Sequence, residues 1–193
     1  MGCDIHSFVM VPSSNAGLYQ PIVSYTYNKY DNWNTVQPYD DRYYEMFGLL
    51  TAGSCRGSDY TQLGINPHSG RFNKALVDPS SIDPDNISIN EDNSLQNPSP
   101  FNTIAIRYFD DENDACWHTH GWTSLHDLKR FKRQITRYLD QNNKTLDSDQ
   151  RNELQYLKAA VKKMIINTTA MLNSSWEWDV DDAHVIVCFC FDS

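Results

Sequence analysis

Cys3-Asp4-Ile5-His6-Ser7-Phe8-Val9-Met10-Val11 is the stretch that decides the architecture. Read with a period of two, Ile5, Val9 and Val11 fall on one face, while Asp4, His6, Phe8 and Met10 fall on the other. That alternation predicts a strand, which Pro12 and Ser13-Ser14-Asn15 end. After a turn at Ala16-Gly17, Leu18 to Tyr27 reads as a second strand, which Pro21 makes an edge strand or one that starts late. At the far end of the chain, His184 to Phe191 is a run of β-branched and aromatic residues that reads as a central strand.

Between these strands the period changes. Tyr43, Met46, Phe47 and Leu50 have helical spacing over Arg42 to Leu50, with Asp40 or Asp41 as cap. Phe101 to Phe109 alternates Ile104, Ile106 and Tyr108 with Thr103, Ala105 and Arg107, which predicts a strand. Ser124-Leu125-His126-Asp127 resembles a capping box, and Leu125, Leu128, Phe131, Ile135, Tyr138 and Leu139 form an apolar stripe behind it. Lys129, Arg130, Lys132, Arg133 and Arg137 make the opposite face basic, the usual pattern of a solvated helix. A second helix is expected from about Asp149 to Met171, with Leu154, Leu157, Val161, Met164, Ile165 and Thr168 inward.

The fold class expected is therefore α+β: one domain over 1–193, with a mixed or antiparallel sheet containing the N- and C-terminal strands. A long helical hairpin (about 124–171) packs on that sheet. The stretch 58–100, rich in Asn, Ser and Pro, is expected to be a long loop-rich insertion or lid.

The formal net charge is −9, which argues against general binding to a DNA or RNA backbone. Five cysteines, at 3, 55, 116, 188 and 190, include no Cys-x-x-Cys pair, so reduced thiols in a reducing cytosol are expected. The start lacks a basic region followed by an apolar one, so secretion is not expected, and no apolar run is long enough to span a membrane.

Two places are dense in chemistry. Asp4 and His6, two apart on a strand, point to one face, and such a pair can ligate a metal or act as base and orienter. Local structural roles for both are the plainer alternative. Trp117-His118-Thr119-His120-Gly121-Trp122 stands just ahead of a helix N-terminus, where backbone N–H groups favour anions, with a Trp-rich loop packed on the core as the plainer alternative. His118 and His120 there suit a general acid or a metal ligand, and the indoles suit a base. Arg42 and Arg56 offer guanidinium forks to an anion, and Tyr44 offers a flat face. An Asp-x-His on a first strand also opens the binuclear metallophosphoesterases, but their Gly-Asp-x-x-Asp and Gly-Asn-His-Asp/Glu motifs are missing. Neither a nucleophile elbow nor a P-loop nor a dinucleotide glycine fingerprint occurs.

Met1-Gly2-Cys3-Asp4-Ile5-His6 resembles the opening of a family of small, mostly bacteriophage-encoded proteins. Arg42-Tyr43-Tyr44-Glu45-Met46-Phe47-Gly48 is similar to that family's Arg-x-Tyr-x-x-Phe helix, and Arg56-Gly57 to an Arg-Gly that follows it. His118-Thr119-His120-Gly121-Trp122-Thr123 is similar to its His-Ser-x-Ser-Trp-Leu-Thr element, and the ending Phe191-Asp192-Ser193 to a strand closing in Phe-Asp-Asn. Gly121 replaces the family's second Ser and Ser193 its final Asn, which puts roles of those side chains in doubt. The resemblance carries no assigned activity. It implies a phage protein acting in the cytoplasm of a bacterial host.

If the first and last strands are sheet neighbours, Asp4, His6, His118 and Asp192 surround one pocket, with His120 nearby. Arg42 and Arg56 then supply positive charge, and Tyr44 and Trp122 supply flat walls. That inventory suits a nucleotide-like small molecule, such as a host immune signal. Hydrolysis of a phosphodiester is the leading expectation, with or without a divalent metal on Asp4, His6 and His118. Sequestration without turnover and inhibition of a host protein are the alternatives. Homo-oligomerisation is compatible with all three, and no membrane partner is expected.

Overall fold

The computed structural model describes residues 4–22, 25–27, 33–35, 37–39, 41, 43–50, 68–82, 103–109, 117–175 and 179–192. Within them the chain is α+β. The strands are β1 (Asp4–Pro12), β2 (Tyr19–Ile22), β3 (Tyr25–Tyr27), β4 (Trp33–Thr35), β5 (His68–Ser69), β6 (Trp117–Ser124) and β7 (Ile186–Asp192). The helices are α1 (Tyr44–Leu50), α2 (Thr103–Phe109), α3 (Leu125–Gln141) and α4 (Ser148–Ser175). Five strands form one sheet in the order β2-β1-β7-β6-β5, every pair antiparallel, with the N- and C-terminal strands side by side. Strands β3 and β4 make a separate two-stranded ribbon.

The period-two reading of β1 holds. Ile5, Val9 and Val11 join one core with Val187, Phe189 and Phe191 of β7 and the inner residues of α1, α3 and α4. Phe8 and Met10 join a second core with Cys188, Cys190, Phe72, Val77, Ala105, Tyr108 and Phe109. The sheet is therefore covered on both faces. The helical hairpin and α1 lie on one side, and α2 with the 72–77 segment lies on the other.

The hairpin follows from its stripes. Leu125, Leu128, Phe131, Ile135 and Leu139 are buried on α3. Leu154, Leu157, Val161, Met164 and Thr168 are buried on α4, while Ile165 is partly covered. Ser124 caps α3: its hydroxyl accepts from the Asp127 amide at 3.0 Å and donates to the Asp127 carboxylate at 2.9 Å. No described helix is long and apolar enough to cross a membrane.

Side chains complete the edges. Beyond the end of β2, the Ser7 amide donates to Gln37 Oε1 at 3.0 Å, and the buried Ser7 hydroxyl donates to the Tyr39 carbonyl at 2.8 Å. Asn167 on α4 holds the same segment by donating to the Pro38 carbonyl. Gly17, at φ +81°, makes the turn between β1 and β2 that its sequence context predicts.

Three expectations are corrected. Residues 103–109 form a helix, because Ala105, Tyr108 and Phe109 must all face the second core, and only helical spacing aligns them. Residues 117–124 form a strand rather than a loop, because pairing with β7 satisfies their backbone and the Ser124 cap starts α3 only afterwards. The stretch 18–27 divides between β2 in the main sheet and β3 in the ribbon, and Pro21 sits on the outermost strand as its missing N–H requires. His184 lies in a single 3₁₀ turn (Asp182–His184), just before β7.

Within 58–100 the described part is 68–82. It carries β5 and two 3₁₀ turns, Lys74–Leu76 and Pro79–Ser81, and it buries Phe72, Val77 and Asp78. The rest of the stretch lies outside the described residues.

Candidate functional site

The register of β1, β7 and β6 determines which residues meet. Asp4 stands opposite Asp192, and Asp192 stands opposite Trp117. The next row is Ile5, Phe191 and His118. The row after that joins His6 to Cys190, where Thr119 and His120 form a bulge on β6 against that one residue. Three strands thus bring Asp4, His6, His118, His120 and Asp192 to one end of the sheet. The backbone of β1 is about 10 Å from that of β6, two strand spacings away. Met10, Ile186 and Ser124 mark the opposite end, about 20 Å along the strands.

The bulge changes what β6 presents. His118 is aligned with Phe191, one position out of step with Asp4 and Asp192. His120 meets Tyr108 of α2 edge-to-face, with ring centroids 5.0 Å apart, so it belongs to the second-core side. His6 is half-buried and shares that side by alternation with Phe8 and Met10. His6 and His120 therefore flank the buried Cys190 on the α2 side of the sheet. Neither His118 nor His120 is at the N-terminus of α3, which corrects the anion-site reading: the cap is Ser124, six and four residues further on.

Trp122 lies further along β6, opposite Cys188 on β7 and His68 on β5. It packs edge-on against Phe72 at 5.4 Å and is partly exposed. Tyr44 begins α1. Arg42 and Arg56 lie outside the described residues, as do the side chains of Asp4, Tyr44, His118 and Asp192. Among the described residues no three His, Cys, Asp or Glu side chains are gathered closely enough to hold a metal.

The floor beneath this sheet end is a polar arrangement that the sequence did not announce. The Tyr108 hydroxyl accepts from the Phe72 amide at 3.0 Å and donates to the Gly121 carbonyl at 3.3 Å, just past the bulge. Burial pushes the Tyr108 phenol far above its ordinary range, reinforced by the neighbouring Cys188. Burial likewise raises the Cys188 thiol, with Cys190 adding to the effect, so Cys188 stays protonated and unreactive. Tyr108 is thus a strut, fixing the bulge of β6 relative to the 72–77 segment. Only a buried hydroxyl with two backbone partners gives this away, and a sequence shows it only after α2 is recognised as a helix.

No family model, curated protein or solved structure matches the chain.

Proposed function

We propose that the protein acts on a nucleotide-like small molecule at the sheet end carrying Asp4, His6, His118 and Asp192, and hydrolyses a phosphodiester there. The observation supporting this reading is the pairing of Asp4 with Asp192, with His6 two residues along β1 on the same face and His120 on the same side of the sheet; His118, in the intervening row of Ile5 and Phe191, falls on the hairpin face by alternation. Two aspartates in register disfavour each other unless a proton, a cation or a donor answers them. His6 on β1 and His120 on β6, on the same side of the sheet, are suited to that role. In this reading His6 activates water with His120 on the same side of the sheet, the aspartates orient the imidazole or a divalent metal, and Arg42 and Arg56, outside the described residues, are the cations assigned to phosphate. Trp122 is the flat face assigned to the base, since α1, which begins with Tyr44, packs on the opposite side of the sheet. A host immune nucleotide as the target class is part of the same proposal and rests on the resemblance of the sequence motifs alone.

The experiment incubates the purified protein with cyclic dinucleotides and cyclic ADP-ribose isomers, with and without EDTA, then filters and denatures it. Fragments of one compound are the expected result. Intact ligand released only on denaturation would replace hydrolysis with sequestration. Depletion of none of the compounds would reject both, and would leave inhibition of a host protein, for which His6→Ala and Arg56→Ala would be without effect.

A further inference from the structure

The chain's acidity is unevenly distributed. Residues 125–175, the two helices of the hairpin and their connection, hold ten of the 16 Lys and Arg but only five of the 25 Asp and Glu. The hairpin is therefore +5 and the remainder −14. Much of the positive charge lines one groove of about 560 Å³ between α3 and α4, formed by Lys129, Lys132, Arg133, Thr136, Arg137 and Ile165. Lys129 is engaged by Asp182 at 2.6 Å, and Arg130 by Asp127 at 3.2 Å. Among the described residues, Lys132, Arg133 and Arg137 have no carboxylate at ion-pair distance. Lys158 and Lys162 precede Ile165 by seven and three residues on α4, so they share its stripe and extend the same wall.

We infer that this groove binds the sugar–phosphate backbone of a single-stranded nucleic acid, at a site separate from the sheet end. Arg133 and Arg137 are one helical turn apart, about 6 Å along the axis, and present two guanidinium forks in line. The lysines continue the row as point charges. A linear array of cations along a groove matches a polyanion whose charges recur along a strand. A carboxylate and a phosphodiester each offer two oxygens to a guanidinium fork, but only the nucleic acid repeats that charge at a regular interval along a continuous backbone, so it is the better complement to a row of cations. Among the described residues no aromatic lines the groove, so binding is expected to be indifferent to base sequence. The net charge of the whole chain does not forbid this, because acids further than about 8 Å are largely screened at physiological salt.

The test is fluorescence anisotropy with labelled oligothymidylate and oligouridylate, repeated with a labelled oligoglutamate peptide, across a salt series. Both oligonucleotides are expected to bind with similar affinity. The logarithm of affinity should fall against the logarithm of salt with a slope of about −2 to −3.5, for three to five phosphates neutralised. Arg133→Gln with Arg137→Gln should weaken binding roughly tenfold at low salt and reduce the slope by about 1.4. Both residues are at the surface, so the thermal transition of the variant should match the parent's and confirm that it is folded. Absence of binding at low salt, an unchanged affinity in the folded variant, or tighter binding of oligoglutamate would each overturn the inference. None of these outcomes depends on whether the sheet end hydrolyses a nucleotide.

Discussion

On one face of the sheet, Ile5, Val9, Val11, Val187 and Phe189 lie beneath the aliphatic stripes of α3 and α4. On the other, Phe8, Met10, Cys188 and Cys190 lie beneath α2, whose Tyr108 brings a hydroxyl into the core. The first face is held chiefly by volume, with side chains that interlock, and its buried Ser7 hydroxyl bonds only the backbone of Tyr39. The second is held by volume and by direction. Tyr108 contacts Phe8, Phe109 and His120 with centroids 5.1, 4.8 and 5.0 Å apart, and it also bonds two backbone groups on separate segments. A face fixed in direction is the one beside which a chemical site can be kept in register.

The largest effect expected belongs to the first face. Phe189 is fully buried and meets Phe47 edge-to-face at 5.0 Å, so Phe189→Ala should cost about 3–5 kcal/mol in denaturant unfolding. Tyr108→Phe removes one oxygen and almost no volume, yet should cost about 1–3 kcal/mol, because it leaves the buried Phe72 N–H without its acceptor. Phe131→Leu, a modest change of shape on the hairpin side, offers the control. If Tyr108→Phe proved neutral in unfolding measurements, the contrast between the faces would disappear.

Asp78 sharpens the comparison at the edge of the second core. Its carboxylate accepts from the Ser13 hydroxyl at 2.7 Å, the Ser80 hydroxyl at 2.7 Å and the Asn15 amide at 2.7 Å, tying the β1–β2 turn to the 78–81 turn. The Ser13 and Ser80 hydroxyls lead in holding its pKa below the ordinary 3.8, against an opposing push from burial. Because the folded pKa is depressed, this stabilisation is present above pH 3.8 and is lost as pH falls below it through the folded value. Asp78→Asn should therefore lower stability by about 1–3 kcal/mol at neutral pH. Unfolding curves measured across the acid range should converge with the parent's below that point. The smallest effect belongs to the hairpin: Ser124→Ala should cost about 1 kcal/mol, read as a lower melting temperature.

The parts legible in the sequence were those with one unambiguous pattern. β1 divides its side chains by a period of two, β7 is a continuous β-branched and aromatic run buried on both faces, and α3 and α4 repeat their apolar residues over many turns. The helix α2 was misread because seven residues satisfy both periods: Ile104, Ile106 and Tyr108 alternate, while Ala105, Tyr108 and Phe109 share a helical side. β6 was misread because Trp-His-Thr-His-Gly-Trp lacks β-branched residues, apart from Thr119, and its bulge interrupts alternation at Thr119 and His120. That error also placed His118 and His120 at a helix terminus they do not occupy. The nearness of the two chain ends was within reach of the sequence, since both terminal strands were visible. The row that pairs Asp4 with Asp192 was not, because register depends on the turns and bulges of the whole sheet. The basic face of α3 is legible in the sequence as Lys129, Arg130, Lys132, Arg133 and Arg137; its groove against α4 is not, because it depends on how the two helices pack.

The central claim is that residues from the two ends of the chain lie side by side in one site, and a cross-link tests it most directly. With Cys3 replaced by Ser, Asp4→Cys and Asp192→Cys are introduced together, and the folded protein is mildly oxidised and mapped by peptide mass. Directly opposed antiparallel residues have Cα atoms about 4.5–5.5 Å apart, within disulfide reach. The account predicts a disulfide joining positions 4 and 192 in nearly all molecules. Two free thiols there after oxidation, in protein that still melts cooperatively, would contradict it.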